Sequence, residues 1–174
     1  MPVHVALLRA VNVGGTGKLP MADLVKLCEK AGFVRVATYI QSGNVVFESP
    51  RSQAEVGAIL EAALAKKLGK PTRVHVRSAT ELRAILDGNP FPKAPTNRVL
   101  VFFLDAVGGV VSNVKNQAKE ELVLLGRELF VHYPEGQGTS KLVVPLAKEG
   151  TGRNLNTVAK LAEMAASAEQ VGRR

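Results

Sequence analysis

The chain has 174 residues, 46% hydrophobic and 22% charged, which is the balance of a globular protein and excludes a disordered one. Its net charge of +8 favours anionic partners over basic ones. The single Cys28 excludes an internal disulfide, and no segment approaches the ~20 apolar residues of a membrane span.

The N-terminus, MPVHVALLRAVNVGG, has no basic leader region and reads as a first strand, not a signal peptide. Val3–Leu8 is apolar on both sides apart from His4, the pattern of a central strand. A glycine-rich loop follows to Leu19, and Pro20 suits the first turn of a helix. Met21, Leu24, Val25 and Cys28 repeat at helical spacing until Gly32. Cys28 therefore reads as an inert core thiol in a reducing, cytoplasmic setting. Val34–Tyr39 and Asn44–Glu48 are expected strands, joined through Gln41-Ser42-Gly43. Ser52 and Glu55 match a capping box at the head of a helix that Gly69 ends. Thr72–Arg77 closes the half as a strand. The order strand, helix, strand, strand, helix, strand is that of a ferredoxin-like unit.

Ser78 and Glu81 match a second capping box, opening a short helix through Leu86. Asp87–Pro95, rich in proline, is the clearest connector. Beyond it Val99–Leu104 is a solidly apolar strand, and residues 110–120 are helical or irregular. Leu122–Leu125 and Glu128–Tyr133 form a hairpin across Gly126-Arg127. Ser140–Leu146 fits a short helix or a strand. Thr151–Ala168 is expected to be the last helix, with Leu155, Val158, Leu161, Ala162 and Ala165 on one face. The expected fold is thus α+β, with ferredoxin-like halves over 1–87 and 96–174, joined by 88–95. The second half has its final strand missing or replaced.

No catalytic constellation stands out. Gly14-Gly15-Thr16-Gly17-Lys18 fails the Walker spacing twice, at Asn12 and at Leu19. It can still be read as a loop that holds an anion, or as a plain strand-to-helix connection. Gln41, Ser42 and Asn44 either recognise a ligand or tie down their own turn. Arg153, Asn154, Asn156 and Thr157 fall at the expected start of the last helix. Capping explains one of them, and Arg153 would be left for a carboxylate or phosphate. His4, His75 and His132 show no metal spacing, so no metal and no cofactor is expected. Carboxylates fall mostly on the solvent faces of helices. The first strand lacks the stacking aromatics of RNA-recognition modules and there is no Trp, so nucleic-acid binding is only weakly supported. Nothing in the pattern specifies an oligomeric state.

ALLRAVNVGGTGKLPMADL, TYIQSGNVVFES, SKL and GRNLNTVAKLAEM, in this order along nearly the whole chain, resemble the hallmarks of the bacterial domain-of-unknown-function 1697 family. The resemblance implies two ferredoxin-like halves and no established reaction, cofactor or substrate. The family's recurring polar positions map onto Arg9, Asn12, Gly14, Gly15, Gln41, Ser42, Gly43, Asn44, Ser140, Lys141, Arg153, Asn154, Asn156 and Thr157. Leu155 stands where the family usually has Trp. The combined expectation is a cleft shared by the halves that takes a small anionic or nucleotide-like ligand. Arg9, Lys141 and Arg153 would supply charge, and Asn12, Gln41, Ser42, Asn44, Asn154 and Asn156 orientation. The alternatives are a basic nucleic-acid-binding module and a protein-interaction module without a small ligand.

Overall fold

A computed structural model describes residues 1–13 and 18–172. Within them the chain is a mixed α+β fold of two four-stranded antiparallel sheets and four helices. It divides into two compact units, Met1–Arg83 with Lys160–Arg174, and Ala84–Ala159. The later part of the last helix therefore belongs with the N-terminal unit, whereas the sequence reading gives that whole helix to the second half.

The first unit runs β1 (Val3–Leu8), α1 (Met21–Lys30), β2 (Val34–Thr38), β3 (Asn44–Glu48), α2 (Gln53–Leu68) and β4 (Val74–Ser78). Its strands lie in the order β2-β3-β1-β4. β1 is central and every one of its residues is buried, as its unbroken apolar run implies. His4, the exception in that run, points its Nε2 at the Ser49 carbonyl (3.2 Å) and stacks on Phe47. Leu24 and Cys28 from α1 and Val56, Leu60 and Leu64 from α2 pack with Ala6, Leu8, Val45 and Phe47. The Ser78 capping box forms in full, Ser78 Oγ accepting from the Glu81 N–H at 3.1 Å and Glu81 Oε1 from the Ser78 N–H at 3.0 Å, while at Ser52 the cap itself forms, its Oγ accepting from the Glu55 N–H at 3.2 Å. The edge strand β2 carries a register shift between Val34 and Ala37. Arg35 takes φ 51° there and pairs with the buried Glu48 at 3.0 Å, a bulge of the kind that turns an edge strand away from further pairing.

α3 (Ala79–Asp87) leads into the second unit, where β5 (Val99–Phe103), β6 (Glu121–Leu125), β7 (Glu128–His132) and β8 (Thr151–Asn154) precede α4 (Leu155–Gly172). The strand order β6-β7-β5-β8 repeats that of the first sheet. No α-helix lies between β5 and β6 or between β7 and β8. The chain there is irregular, with short 3-10 turns at Gln137–Thr139 and Pro145–Glu149 and one isolated bridge, Lys115 to Val143. The ambiguous Ser140–Leu146 stretch is thus neither an α-helix nor a full strand: it holds that bridge and the first residues of the Pro145–Glu149 3-10 turn.

The expected helix start at Thr151 is corrected. Thr151–Asn154 is the fourth strand of the sheet, paired with β5 from Phe103↔Thr151 to Leu100↔Asn154. A polar Thr-Gly-Arg-Asn segment has weak strand propensity of its own, but docking beside an apolar central strand overrides it. Gly152 makes the approach feasible, because a Cβ there would stand 2.7 Å from the Phe102 ring.

Candidate functional site

The polar residues of the first unit gather at one end of β1. Asn12, with φ 57°, uses its whole side-chain amide locally. Nδ2 donates to the Leu19 carbonyl (2.9 Å) and the Gln41 carbonyl (2.7 Å), while Oδ1 accepts from the Leu19 N–H (2.7 Å). It thereby ties the end of the glycine loop to the 41–44 turn. Gly14–Gly17, the core of the anion-loop reading, lie outside the described residues. Lys18 is exposed. Arg9 is half-buried, and its N–H donates to the Arg73 carbonyl at 3.0 Å.

In the turn, Asn44 is fully buried. Its Nδ2 donates to the Tyr39 carbonyl (3.0 Å) and to Ser42 Oγ (2.8 Å). Gly43 adopts φ 85°, and a Cβ there would stand 2.5 Å from Val11 and 2.9 Å from Leu8. Ser42 and Asn44 thus bond within the turn itself. Gln41 is exposed and contributes its backbone carbonyl to Asn12.

In the second unit Arg153 is not an exposed helix-start residue. It lies in β8, 7% exposed, with Nη1 donating to Thr151 Oγ1 (2.7 Å) and to the Gly152 carbonyl (3.0 Å). Burial pulls its pKa down to about 10, which leaves it charged at neutral pH. Asn154 caps α4, accepting the Thr157 N–H at 3.0 Å. Asn156 is exposed and accepts from the Thr96 hydroxyl at 2.6 Å. Leu155 is 3% exposed, so the residue in the family's Trp position is a core residue here.

Lys141 lies elsewhere in this unit. With Ser140 it lines a pocket of about 230 Å³ whose other walls include Asn116, Lys119, Glu120 and Tyr133. Arg153, Asn154 and Asn156 do not line it. Among its walls Glu120 joins two irregular stretches. Oε1 accepts from Ser140 Oγ (2.9 Å) and Oε2 from the Ala118 N–H (2.9 Å), while its backbone carbonyl accepts from Gln117 Nε2 (2.7 Å). The Ala118 N–H, a second backbone bond and the Ser140 hydroxyl favour the ionised carboxylate and hold it below the usual glutamate range. Burial, with the Glu120 charge nearby, pushes the Tyr133 phenol up, so it stays a protonated donor. Lys119 pairs with Glu135 at 3.5 Å, both largely exposed. The Lys141 ammonium makes no ion pair among the described residues.

The site is therefore a small pre-formed pocket with two lysines, two carboxylates and a buried phenol, Glu120 being held by hydrogen bonds and Glu135 paired with Lys119. The Ser140 hydroxyl donates its hydrogen bond to the Glu120 carboxylate. Glu120, Tyr133, Asn116 and Lys119 escaped sequence reasoning. Glu120 in particular looks in sequence like any solvated carboxylate, and only its folding back onto Ser140 marks it. Among the described residues no group of three His, Cys, Asp or Glu side chains could hold a metal ion. No helix there is long and apolar enough to cross a membrane.

A family model described as "Protein of unknown function (DUF1697)" matches residues 1–130. No curated protein matches the chain. Among solved structures, the conserved bacterial protein SP0830 from Streptococcus pneumoniae is similar at a TM-score of 0.75 and 24% identity. The match covers 94% of this chain and 98% of that one. At that identity the likeness speaks for a shared fold.

Proposed function

The chain belongs to the DUF1697 family, and we propose that it binds a small anionic ligand in the pocket of its second unit. The observation that carries this reading is the Lys141 ammonium, without an ion pair among the described residues, beside a cavity that Glu120 and Ser140 brace from two separate stretches of chain. Binding sites are typically mostly pre-formed concavities with a few convergent polar groups. A volume of about 230 Å³ lies below the roughly 300–1,000 Å³ of drug-sized pockets, which argues for a small ligand. The net charge of +8 draws anions toward the molecule.

We also read each unit as ferredoxin-like. The first has the β-α-β-β-α-β element order, and the strand order β2-β3-β1-β4 recurs as β6-β7-β5-β8. In the second unit irregular chain stands in place of both crossover helices. A reducing, cytoplasmic setting belongs to the same reading, on the strength of a lone cysteine buried in the core.

A thermal-shift screen of phosphorylated and carboxylated small molecules tests the proposal. A ligand at 100 times its Kd stabilises by about 2.7 kcal/mol, which is about 5–10 °C in Tm for a chain of this size. Lys141→Ala should abolish the shift while leaving the unliganded Tm near that of the wild type. Stabilisation by short RNA with steep salt dependence, unaffected by Lys141→Ala, would favour the nucleic-acid alternative instead.

A further inference from the structure

The pocket's open hydrogen-bonding groups narrow the class of ligand, an argument that rests on the binding reading above. Tyr133 is 6% exposed, so its ring faces are covered and no base can stack on them. None of the hydrogen bonds among the described residues uses its hydroxyl or the side-chain amide of the exposed Asn116. A polar group without a protein partner at a pocket wall is open to a well-placed ligand acceptor.

The other polar groups are partly committed. The Ser140 hydroxyl donates to Glu120 and accepts from the Leu142 N–H at 3.2 Å, which leaves it little to offer. Each Glu120 oxygen has one well-aligned donor in place, beside nearby backbone N–H groups that also favour its charge, and an ionised carboxylate has about four acceptor sites. Glu120 can therefore take further donors, and a ligand consisting only of anionic oxygens would be repelled by it. Lys141 is available for an anionic group. The set thus asks for three things in one small molecule: an anion for Lys141, a hydroxyl donor for Glu120, and an acceptor oxygen for Tyr133.

We infer that the ligand is a small hydroxylated anion, a phosphorylated or carboxylated polyol, with the Tyr133 hydroxyl as the group that reads its polyol part. A nucleotide lacks an exposed aromatic face on which to lay its base.

Calorimetric titration tests this on the full chain with glycerol 3-phosphate, glycerate, inorganic phosphate and adenosine monophosphate. The wild type should bind glycerol 3-phosphate or glycerate at least about tenfold tighter than inorganic phosphate, one well-placed hydrogen bond being worth about that factor. Whichever of the two binds fixes the anionic group, and either supports the inference. Tyr133→Phe keeps the packed ring. It should lose about tenfold in affinity for the hydroxylated anion, the equivalent of one hydrogen bond, and nothing for inorganic phosphate. Unchanged polyol affinity in Tyr133→Phe, or tighter binding of the nucleotide than of the polyol anion, would overturn the inference while the anion site stood. No binding of any anion to the wild type, or binding unaltered by Lys141→Ala, would remove the site itself.

Discussion

Arg77 and Arg153 hold matching places in the two sheets. Each lies on the strand beside the central one, Arg77 opposite Val5 and Arg153 opposite Val101. Each is buried, and each turns Nη1 back to the carbonyl of the residue before it at 3.0 Å. The next residue, Ser78 or Asn154, caps the following helix. The strand-to-helix junction is thus built the same way twice, from segments that share only the arginine.

Arg153 should accordingly be a stability residue. Arg153→Lys keeps the charge but loses the planar fork that reaches Thr151 and Gly152. A loss of about 1–3 kcal/mol is expected for breaking buried, charge-assisted bonds, read as a fall in Tm. Pocket binding by the folded variant should be unchanged.

The 41–44 turn should depend on Gly43 more than on its polar neighbours. Gly43→Ala places a methyl against Val11 and Leu8 at a positive φ. It should cost about 1–3 kcal/mol from overpacking alone, with strain added. Gln41→Ala, at an exposed side chain, should stay within about 0.5 kcal/mol of the wild type. Chemical denaturation of the two variants measures both.

Much of this was legible in sequence, and the failures have physical causes. The continuous apolar run of β1, the two capping boxes and the Gly32 and Gly69 stops all leave local signatures, so the first unit reads correctly element by element. β8 does not, because its four residues become a strand only by pairing with β5, which no local pattern records. Asn12 and Asn44 could be singled out as special but not assigned, since a side chain that bonds backbone and one that bonds ligand look alike in sequence. Glu120 and Tyr133 lie 20 and 7 residues from Ser140, in stretches without periodicity, and only the folded chain brings them together.

Glu120 should give the pocket an acid limit. Its folded-state pKa is lowered from 4.5, so its contribution to stability is complete above about pH 4.5. That contribution is lost as pH falls through the lower folded value, because the unfolded chain takes up the proton first. The Tm difference between wild type and Glu120→Gln should therefore be greatest at neutral pH and shrink below pH 4.5. A difference constant across that range would contradict the role given to the carboxylate.

Cys28 should be silent toward thiol reagents in the folded protein. It is fully buried, and burial, aided by Glu29, pushes its pKa up to about 12. At pH 8 the thiolate is scarce and inaccessible, so labelling should be limited by opening of the core. Labelling should accelerate steeply in denaturant and show a single reactive group when unfolded.

The most direct test of the binding account is amide chemical-shift mapping during titration with a polyol phosphate such as glycerol 3-phosphate. Saturable perturbations are expected to centre on residues 116–120 and 133–141, and to vanish in Lys141→Ala. Perturbations centred on the 41–44 turn, or weak non-saturating shifts scattered over surface lysines, would contradict it.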